Sequence, residues 1–157
     1  MTQLEYPCAR MLTYKPPRIA MSLLVLATLS KLVLPAIWVT LPSFLIAGIT
    51  FSALGFGIMI RAWWLFQQHE TAICPTAGTT SFIVGDIYRL TRNPMYLGMI
   101  LILIGIALLV GSWPYYFVAI LYAVILDHVF CRYEESKLLE QFGIEYTEYT
   151  ARVRRWV

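Results

Sequence analysis

Long apolar runs separated by short polar segments make up most of the chain. Residues 19–40 and 44–60 are almost free of charge, and residues 95–110 and 115–130 form two shorter runs. An α-helix rises about 1.5 Å per residue, so about 20 apolar residues cross a hydrocarbon core of about 30 Å. Residues 111–114 (Gly-Ser-Trp-Pro) are typical of a tight turn. The pattern therefore predicts four transmembrane helices, of which the last two form a hairpin.

The glycines of these runs recur at helical spacing. Gly48 and Gly55 lie in the second run, and Gly98 and Gly105 lie in the third at the same separation. Glycines two helical turns apart share one face of a helix, where they allow two helix backbones to approach closely. We expect these faces to form the packing seams between helices.

The composition agrees with a membrane protein. Of the 157 residues, 59% are hydrophobic and only 13% are charged. Soluble domains average about 45–50% apolar and about 25% charged residues. The sequence predicts an all-α integral membrane protein with one domain over residues 1–157, in which the hairpin is followed by a C-terminal helix in the cytoplasm.

The distribution of basic residues predicts the orientation. Basic residues precede the first run, flank the loop at residues 67–93 and follow the fourth run, whereas the other two connections carry none. Because basic residues near the ends of spans are retained in the cytoplasm, both termini and the loop are expected there. Lys31 is the exception, since it lies within the first run. It faces the bundle interior, contacts a headgroup or snorkels to the interface.

The charge and the cysteine spacing argue against nucleic acid and metal ions as partners. The net charge of +3 follows from the topology, and no basic patch interleaved with exposed aromatic residues indicates nucleic acid. Cys8, Cys74 and Cys131 all fall on the predicted cytoplasmic side and match no metal-ligand or redox spacing. We expect reduced thiols and no metal site.

The third run is preceded by a charged stretch, residues 91–98 (Thr-Arg-Asn-Pro-Met-Tyr-Leu-Gly). Asn93 is a favourable N-cap residue, and Pro94 suits the first position of a helix. The free N–H groups of a helix start beside Arg92 form an anion site at the membrane surface. The alternative is an ordinary helix start with an arginine that only sets topology.

A second charged stretch follows the fourth run. Asp127, Cys131, Glu134 and Glu135 recur at intervals of about one and two helical turns, so they share a face if the helix continues. Carboxylates at a helix C-terminus oppose the helix dipole unless a cation, a ligand or further turns offset them. The stretch is therefore either a site or the solvated face of a cytoplasmic helix. His128 is interpreted as an interfacial residue.

Taken in order, these stretches resemble the superfamily of integral membrane methyltransferases that includes the isoprenylcysteine carboxyl methyltransferases and the phospholipid methyltransferases. The similarity is carried by residues 85–89, residues 92–98, the hairpin, the pair 134–135, residues 142–146, Tyr149 and residues 152–155. The eukaryotic pattern has a histidine where this chain has Asn93. An acid or base role of that histidine is not carried over, although asparagine can still cap the helix and form hydrogen bonds.

The resemblance implies methyl transfer from S-adenosylmethionine, bound at the cytoplasmic face between residues 85–98 and residues 127–157. It implies three catalytic residues, Arg92, Glu134 and Glu135. The cofactor-binding residues that it implies are Tyr88, Arg92, Asn93, Pro94, Tyr96, Leu97, Gly98, Glu134, Glu135, Tyr146 and Tyr149.

These residue types suit the cofactor. Its carboxylate calls for an arginine or a helix N-terminus, its ammonium and ribose for acidic acceptors, and its sulfonium for aromatic faces. A thiol or amine acceptor must also lose a proton, and Glu135 or Glu134 is the candidate base. Arg92 would hold an anionic acceptor or the cofactor carboxylate.

The sequence leaves the acceptor and two other functions open. An isoprenylcysteine carboxylate, an ethanolamine phospholipid, a small thiol and a quinone-like lipid all suit an interfacial pocket. An NADPH-dependent membrane reductase of related architecture and a non-enzymatic membrane scaffold are the alternatives to a methyltransferase. The expected partners are the membrane and a lipid or lipophilic substrate, and the oligomeric state is open.

Overall fold

The computed structural model describes residues 16–30, 42–69 and 83–157, and every element in these ranges is helical. Lys31, Cys8 and Cys74 lie outside them. The elements are α1 (Pro16–Ser30), α2 (Pro42–Gln68), a 3₁₀ turn (Asp86–Arg89), α3 (Pro94–Val110), α4 (Trp113–Ile125), a π-helical turn (Leu126–Cys131) and α5 (Arg132–Arg152). The prediction of an all-α fold is confirmed for this part of the chain.

The helix boundaries follow the apolar runs with three main differences. α2 continues to Gln68, past the predicted end at residue 60, because Arg61 is accommodated over the ring of Trp64 and beside Asp86. The fourth run passes through the π-helical turn directly into α5, so the helix continues without a break as far as a kink at Gly143, beyond which α5 extends to Arg152. The turn between α3 and α4 is shorter than the predicted turn at residues 111–114. Gly111 adopts φ +63°, and α4 already begins at Trp113.

The glycine faces pack α2 against α3 as predicted. A Cβ atom on Gly55 would lie 2.5 Å from the carbonyl oxygen of Gly98, and one on Gly105 would lie 2.7 Å from the carbonyl oxygen of Gly48. Such distances leave no room for a side chain, so the two backbones are in direct contact. Gly57, on the other side of α2, has open space around its Cβ position.

These contacts also fix the relative directions of the helices. Because Gly48 meets Gly105 and Gly55 meets Gly98, α2 and α3 run antiparallel. The hydroxyl of Tyr122 donates to the carbonyl of Pro16, and Thr28 bonds Tyr115 at the opposite end of α1. The starts of α1 and α3 and the ends of α2 and α4 therefore lie at one end of the bundle, which we call the loop end.

The described helices have the apolar character of a membrane protein. Two helical stretches, Pro42–Gln68 and Trp113–Arg152, are long and apolar enough to cross a membrane, and α1 and α3 are shorter apolar helices. Large apolar side chains on the outer side of α2 are exposed, with Ile46 at 69% and Ile60 at 63%. Hydrocarbon is the environment that suits such a surface.

Two alanine substitutions on α2 test the glycine seam. Gly55→Ala forces a methyl group against the α3 backbone, so we expect it to cost about 1–3 kcal/mol of stability and to lower the thermal unfolding midpoint in detergent. Gly57→Ala is the matched control. It should leave the midpoint unchanged or raise it slightly, because alanine is the better helix former and nothing obstructs it. Equal midpoints for the two variants would contradict the seam.

Candidate active site

An ion-pair cluster at the loop end joins segments that are far apart in the sequence. The carboxylate of Glu135, in the first turn of α5, lies between two guanidinium groups. Arg92 Nη1 is 3.2 Å from Glu135 Oε1, and Arg155 donates from Nη2 and Nε to the two carboxylate oxygens at 2.6 and 2.9 Å. The Glu135 side chain is 17% exposed, so this pairing is largely shielded from water.

Arg155 extends the cluster to the π-helical turn. Its Nη1 donates to Asp127 Oδ1 at 2.9 Å, and the same oxygen accepts a hydrogen bond from the indole of Trp156 at 2.8 Å. π-helical turns interrupt the α-helical register and are frequent at functional sites. His128 is exposed at the edge of the cluster, with its Nδ1 3.8 Å from Asp127 Oδ2.

Glu134 has a different environment from its neighbour. It accepts a hydrogen bond from the hydroxyl of Tyr96, the buried tyrosine of α3. Burial raises the pKa of the Glu134 carboxyl to about 7, which the Tyr96 hydrogen bond opposes and the charge of Glu135 reinforces. The two adjacent glutamates therefore have different environments. Glu135 is paired with two arginines. Glu134 is half-buried, and among the described residues its side chain bonds the hydroxyl of Tyr96.

Asn93 does not cap α3 with its side chain, contrary to the prediction. It occupies the N-cap position, but only its carbonyl takes part in the first turn, where it accepts from the N–H of Leu97 at 3.0 Å. Its φ of −130° and ψ of 59° depart from the usual capping geometry. Asn93 Nδ2 and Arg92 Nε are buried and have no hydrogen-bond partner within the described residues. Two donors beside the start of α3 are therefore left for a ligand.

The tyrosines of α5 connect the two regions predicted to bind the cofactor. A glycine at φ +53°, Gly143, bends α5 so that its second half returns to the 3₁₀ turn. There the hydroxyl of Tyr149 donates to the carbonyl of Tyr88 at 2.7 Å, and the rings of Tyr146 and Tyr149 are 6.2 Å apart. Burial raises the pKa of Tyr146 to about 12, so its hydroxyl stays neutral.

The remaining predicted cofactor residues lie along the start of α3. Pro94 is buried at the first position of the helix and Leu97 is half-buried. Gly98 packs against the α2 backbone, so the contact it makes is between helices. The structure therefore brings residues 85–98 and residues 127–157 together. Of the residues predicted to bind the cofactor, those with charged or unpaired side-chain groups in that space are Arg92, Asn93, Glu134 and Glu135.

Sequence reasoning predicted that residues 127–157 help to form the cofactor region, but it named neither Arg155 nor Trp156 as a site residue. The backbone N–H of Arg92 donates to the carbonyl of Arg154 at 3.1 Å, and Thr91 Oγ1 donates to that of Arg155 at 2.6 Å. No local sequence pattern predicts these contacts, because they join residues more than 60 positions apart.

A helical, apolar chain that gathers arginines and carboxylates into a half-buried site at one end of its helices is organised as an integral membrane enzyme. The family model of phospholipid methyltransferases matches residues 43–145, more than half of the chain, and the chain belongs to this family. It is therefore a membrane methyltransferase, and the resemblance inferred from the sequence is confirmed. Comparisons with curated proteins and with solved structures give no significant match.

The raised pKa of Glu134 predicts a pH-dependent stability. Its usual pKa of 4.5 applies to the unfolded chain and about 7 to the folded one, so its favourable contribution is complete below pH 4.5 and is lost as the pH rises through 7. Glu134→Gln should therefore gain stability relative to the wild type between pH 5 and pH 8, by up to about 3 kcal/mol. Thermal unfolding midpoints of the two proteins across this range measure the difference. A pH-independent difference would contradict the assignment.

Proposed function

We propose that this protein transfers a methyl group from S-adenosylmethionine to a lipophilic or membrane-associated acceptor at the cytoplasmic face of a membrane. The observation that carries the proposal is the half-buried Glu134, hydrogen-bonded by Tyr96, beside the ion-paired Arg92 and Glu135, in a chain of the phospholipid methyltransferase family. Family membership favours group transfer over the reductase and scaffold alternatives.

The donors and acceptors of the site fit the proposed cofactor. Arg92 Nε and Asn93 Nδ2, buried without partners within the described residues beside the start of α3, suit the α-carboxylate. The carboxyl groups of Glu134 and Glu135 suit the ammonium group and the ribose hydroxyls, and tyrosine rings suit the positive sulfur. When bound, the cofactor supplies an electrophilic methyl group.

Glu134 is the better candidate for the base that removes the acceptor's proton. A general base works best with a pKa near the operating pH, and Glu134 has a pKa of about 7. Its Oε2 is not used in the hydrogen bond from Tyr96, which binds Oε1 and orients the carboxyl group. Both carboxylate oxygens of Glu135 instead contact arginines, Arg92 or Arg155, so we assign Glu135 to positioning rather than proton transfer.

The acceptor is proposed to approach from the membrane with its reactive group at the loop end. The family name favours the amine of a phospholipid headgroup. A phospholipid amine is an ammonium ion at neutral pH, so it must lose a proton before its lone pair can attack a methyl group, and Glu134 Oε2 is the proposed acceptor of that proton. The bond between sulfur and the methyl carbon would break as the nitrogen–carbon bond forms, with a neutral thioether as the leaving group. A pocket shielded by the hairpin and the C-terminal segment keeps water from competing for the methyl group.

The proposed orientation places the loop end in the cytoplasm. The basic residues Arg18, Arg61, Arg89 and Arg92 lie on elements that reach this end, as do those of α5. The positive-inside rule then assigns both termini and the site to the cytoplasmic side of a four-span protein.

Reporter fusions at each terminus test this orientation. An alkaline phosphatase fusion is active only after export and a fluorescent protein fusion folds in the cytoplasm. We expect fluorescence and no phosphatase activity from fusions at both Met1 and Val157. Phosphatase activity at either terminus would reject the four-span arrangement.

The methyl-transfer reaction itself is tested with methyl-labelled S-adenosylmethionine and the protein in lipid nanodiscs. Nanodiscs containing phosphatidylethanolamine, extracted host lipids and small thiols are compared as acceptors, and the labelled product is identified. We expect label in a lipid headgroup. No labelled product with any acceptor, together with no binding of S-adenosylhomocysteine by calorimetry, would refute the proposal.

Single substitutions in the active wild-type background test the site. Arg92→Ala and Glu134→Gln should each lower turnover about 10- to 100-fold, since a charge-assisted hydrogen bond contributes about 1.5–3 kcal/mol. Glu140→Gln is the matched control on the same helix, because Glu140 is 72% exposed and pairs only with Lys137 among the described residues. If Glu134→Gln retains the activity of the control, Glu134 is not the base.

A further inference from the structure

Arg155 makes three side-chain hydrogen bonds to two carboxylates on two elements. Nε and Nη2 bond Glu135 of α5 as a bidentate pair, and Nη1 bonds Asp127 of the π-helical turn. The side chain is 23% exposed. A planar guanidinium matches a carboxylate in this bidentate geometry, which a lysine ammonium cannot reproduce.

The backbone around Arg155 is fixed independently of its side chain. The carbonyls of Arg154 and Arg155 accept hydrogen bonds from Arg92 N–H and Thr91 Oγ1, and Val153 is buried with its N–H bonded to the Tyr149 carbonyl. Trp156 adds a hydrogen bond to Asp127. The guanidinium therefore starts from an anchored backbone, so little freedom is lost when it binds the carboxylates.

The position of Arg92 depends on that of Arg155 through one shared atom. Glu135 Oε1 accepts from Arg155 Nε at 2.9 Å and lies 3.2 Å from Arg92 Nη1. Without Arg155, Asp127 and Glu135 would still share a half-buried space, and of the two arginines that pair with Glu135 in the described part of the chain Arg92 alone would remain. The Glu135 carboxylate would then be free to rotate away, and Arg92 would move with it.

We infer that Arg155 is a positioning residue of the methyltransferase, which orients Glu135 and through it Arg92 without touching cofactor or acceptor. This inference rests on the proposed function and extends it to a residue beyond the segment that the family model matches, residues 43–145. It assigns the C-terminal segment a role in the reaction in addition to its backbone contacts.

Three variants at neighbouring positions test the inference in nanodiscs. Arg155→Ala should lower kcat about 10- to 100-fold with a smaller change in the KM of the acceptor, because Arg155 acts on the reacting geometry and not on the acceptor. Arg155→Lys keeps the positive charge but loses the bidentate geometry of the guanidinium, so its kcat should lie between those of Arg155→Ala and the wild type. Arg154→Ala is the matched control. Its side chain is exposed, and its carbonyl contact with Arg92 survives the substitution.

A double-mutant cycle with Glu135→Gln separates positioning from a general structural role. If Arg155 acts through Glu135, Arg155→Ala should lower kcat much less in the Glu135→Gln background than in the wild type. Wild-type kcat in Arg155→Ala would overturn the inference, and so would losses that multiply in the double variant. Should Arg155→Ala not fold, Arg155→Gln and Arg155→Lys provide the same cycle in folded protein.

The cycle is also measured without cofactor, from thermal unfolding midpoints. We expect Arg155→Ala to lower the midpoint in the wild type and to have little effect in Glu135→Gln. These midpoints do not depend on methyl transfer. An inactive wild type with a coupled midpoint would refute the proposed function and leave the contact confirmed, whereas additive midpoints would refute the coupling itself.

Discussion

The carboxylate of Glu135, shared between two guanidinium groups, is the interaction on which the loop end of this protein depends. Arg92 comes from the turn before α3, Glu135 from the start of α5 and Arg155 from the segment after it. Removing charges from water costs several kcal/mol per ion unless each finds a partner. The pairing meets this constraint, and in doing so it fixes three separate segments around one site.

Helix packing elsewhere in the structure positions these three segments relative to one another. The glycine seam sets α2 directly against α3 and so defines where α3 begins, which positions Arg92 and Asn93. The kink at Gly143 returns α5 to the 3₁₀ turn, where the Tyr149 hydroxyl bonds the Tyr88 carbonyl. Helix packing and aromatic contacts thus provide the scaffold, and the ion pairs join the three segments to one another on it.

Much of this fold could be predicted from the sequence, because the helices and their packing faces follow from patterns within short stretches of the chain. Apolar runs and glycine spacing gave α3 nearly to the residue and the α2–α3 seam correctly. The length of α2 was underestimated, since Arg61 looked like an end of the helix when it is in fact paired with Asp86 and stacked on Trp64. A hydropathy pattern cannot register a charge whose partner lies in a distant loop.

The candidate site was predicted only in outline. The motif order pointed to Arg92 and the two glutamates, and both stretches do meet in space. The division of labour between the glutamates depends on burial and on Tyr96, and the contribution of Arg155 depends on contacts across the fold. Asn93 has the residue type of an N-cap, yet its side chain does not cap. These features are set by tertiary structure and leave no mark on local sequence.

The proposed role of Glu134 requires that its half-buried carboxyl group exchange its proton near neutral pH. Infrared difference spectroscopy of the protein in lipid measures this directly, because a protonated buried carboxyl has a C=O stretch separate from that of a carboxylate. We expect such a band to disappear as the pH is raised through about 7, to be absent in Glu134→Gln and to persist in Glu135→Gln. A band that titrates near the ordinary pKa of glutamate, or one that is lost in Glu135→Gln instead, would contradict it.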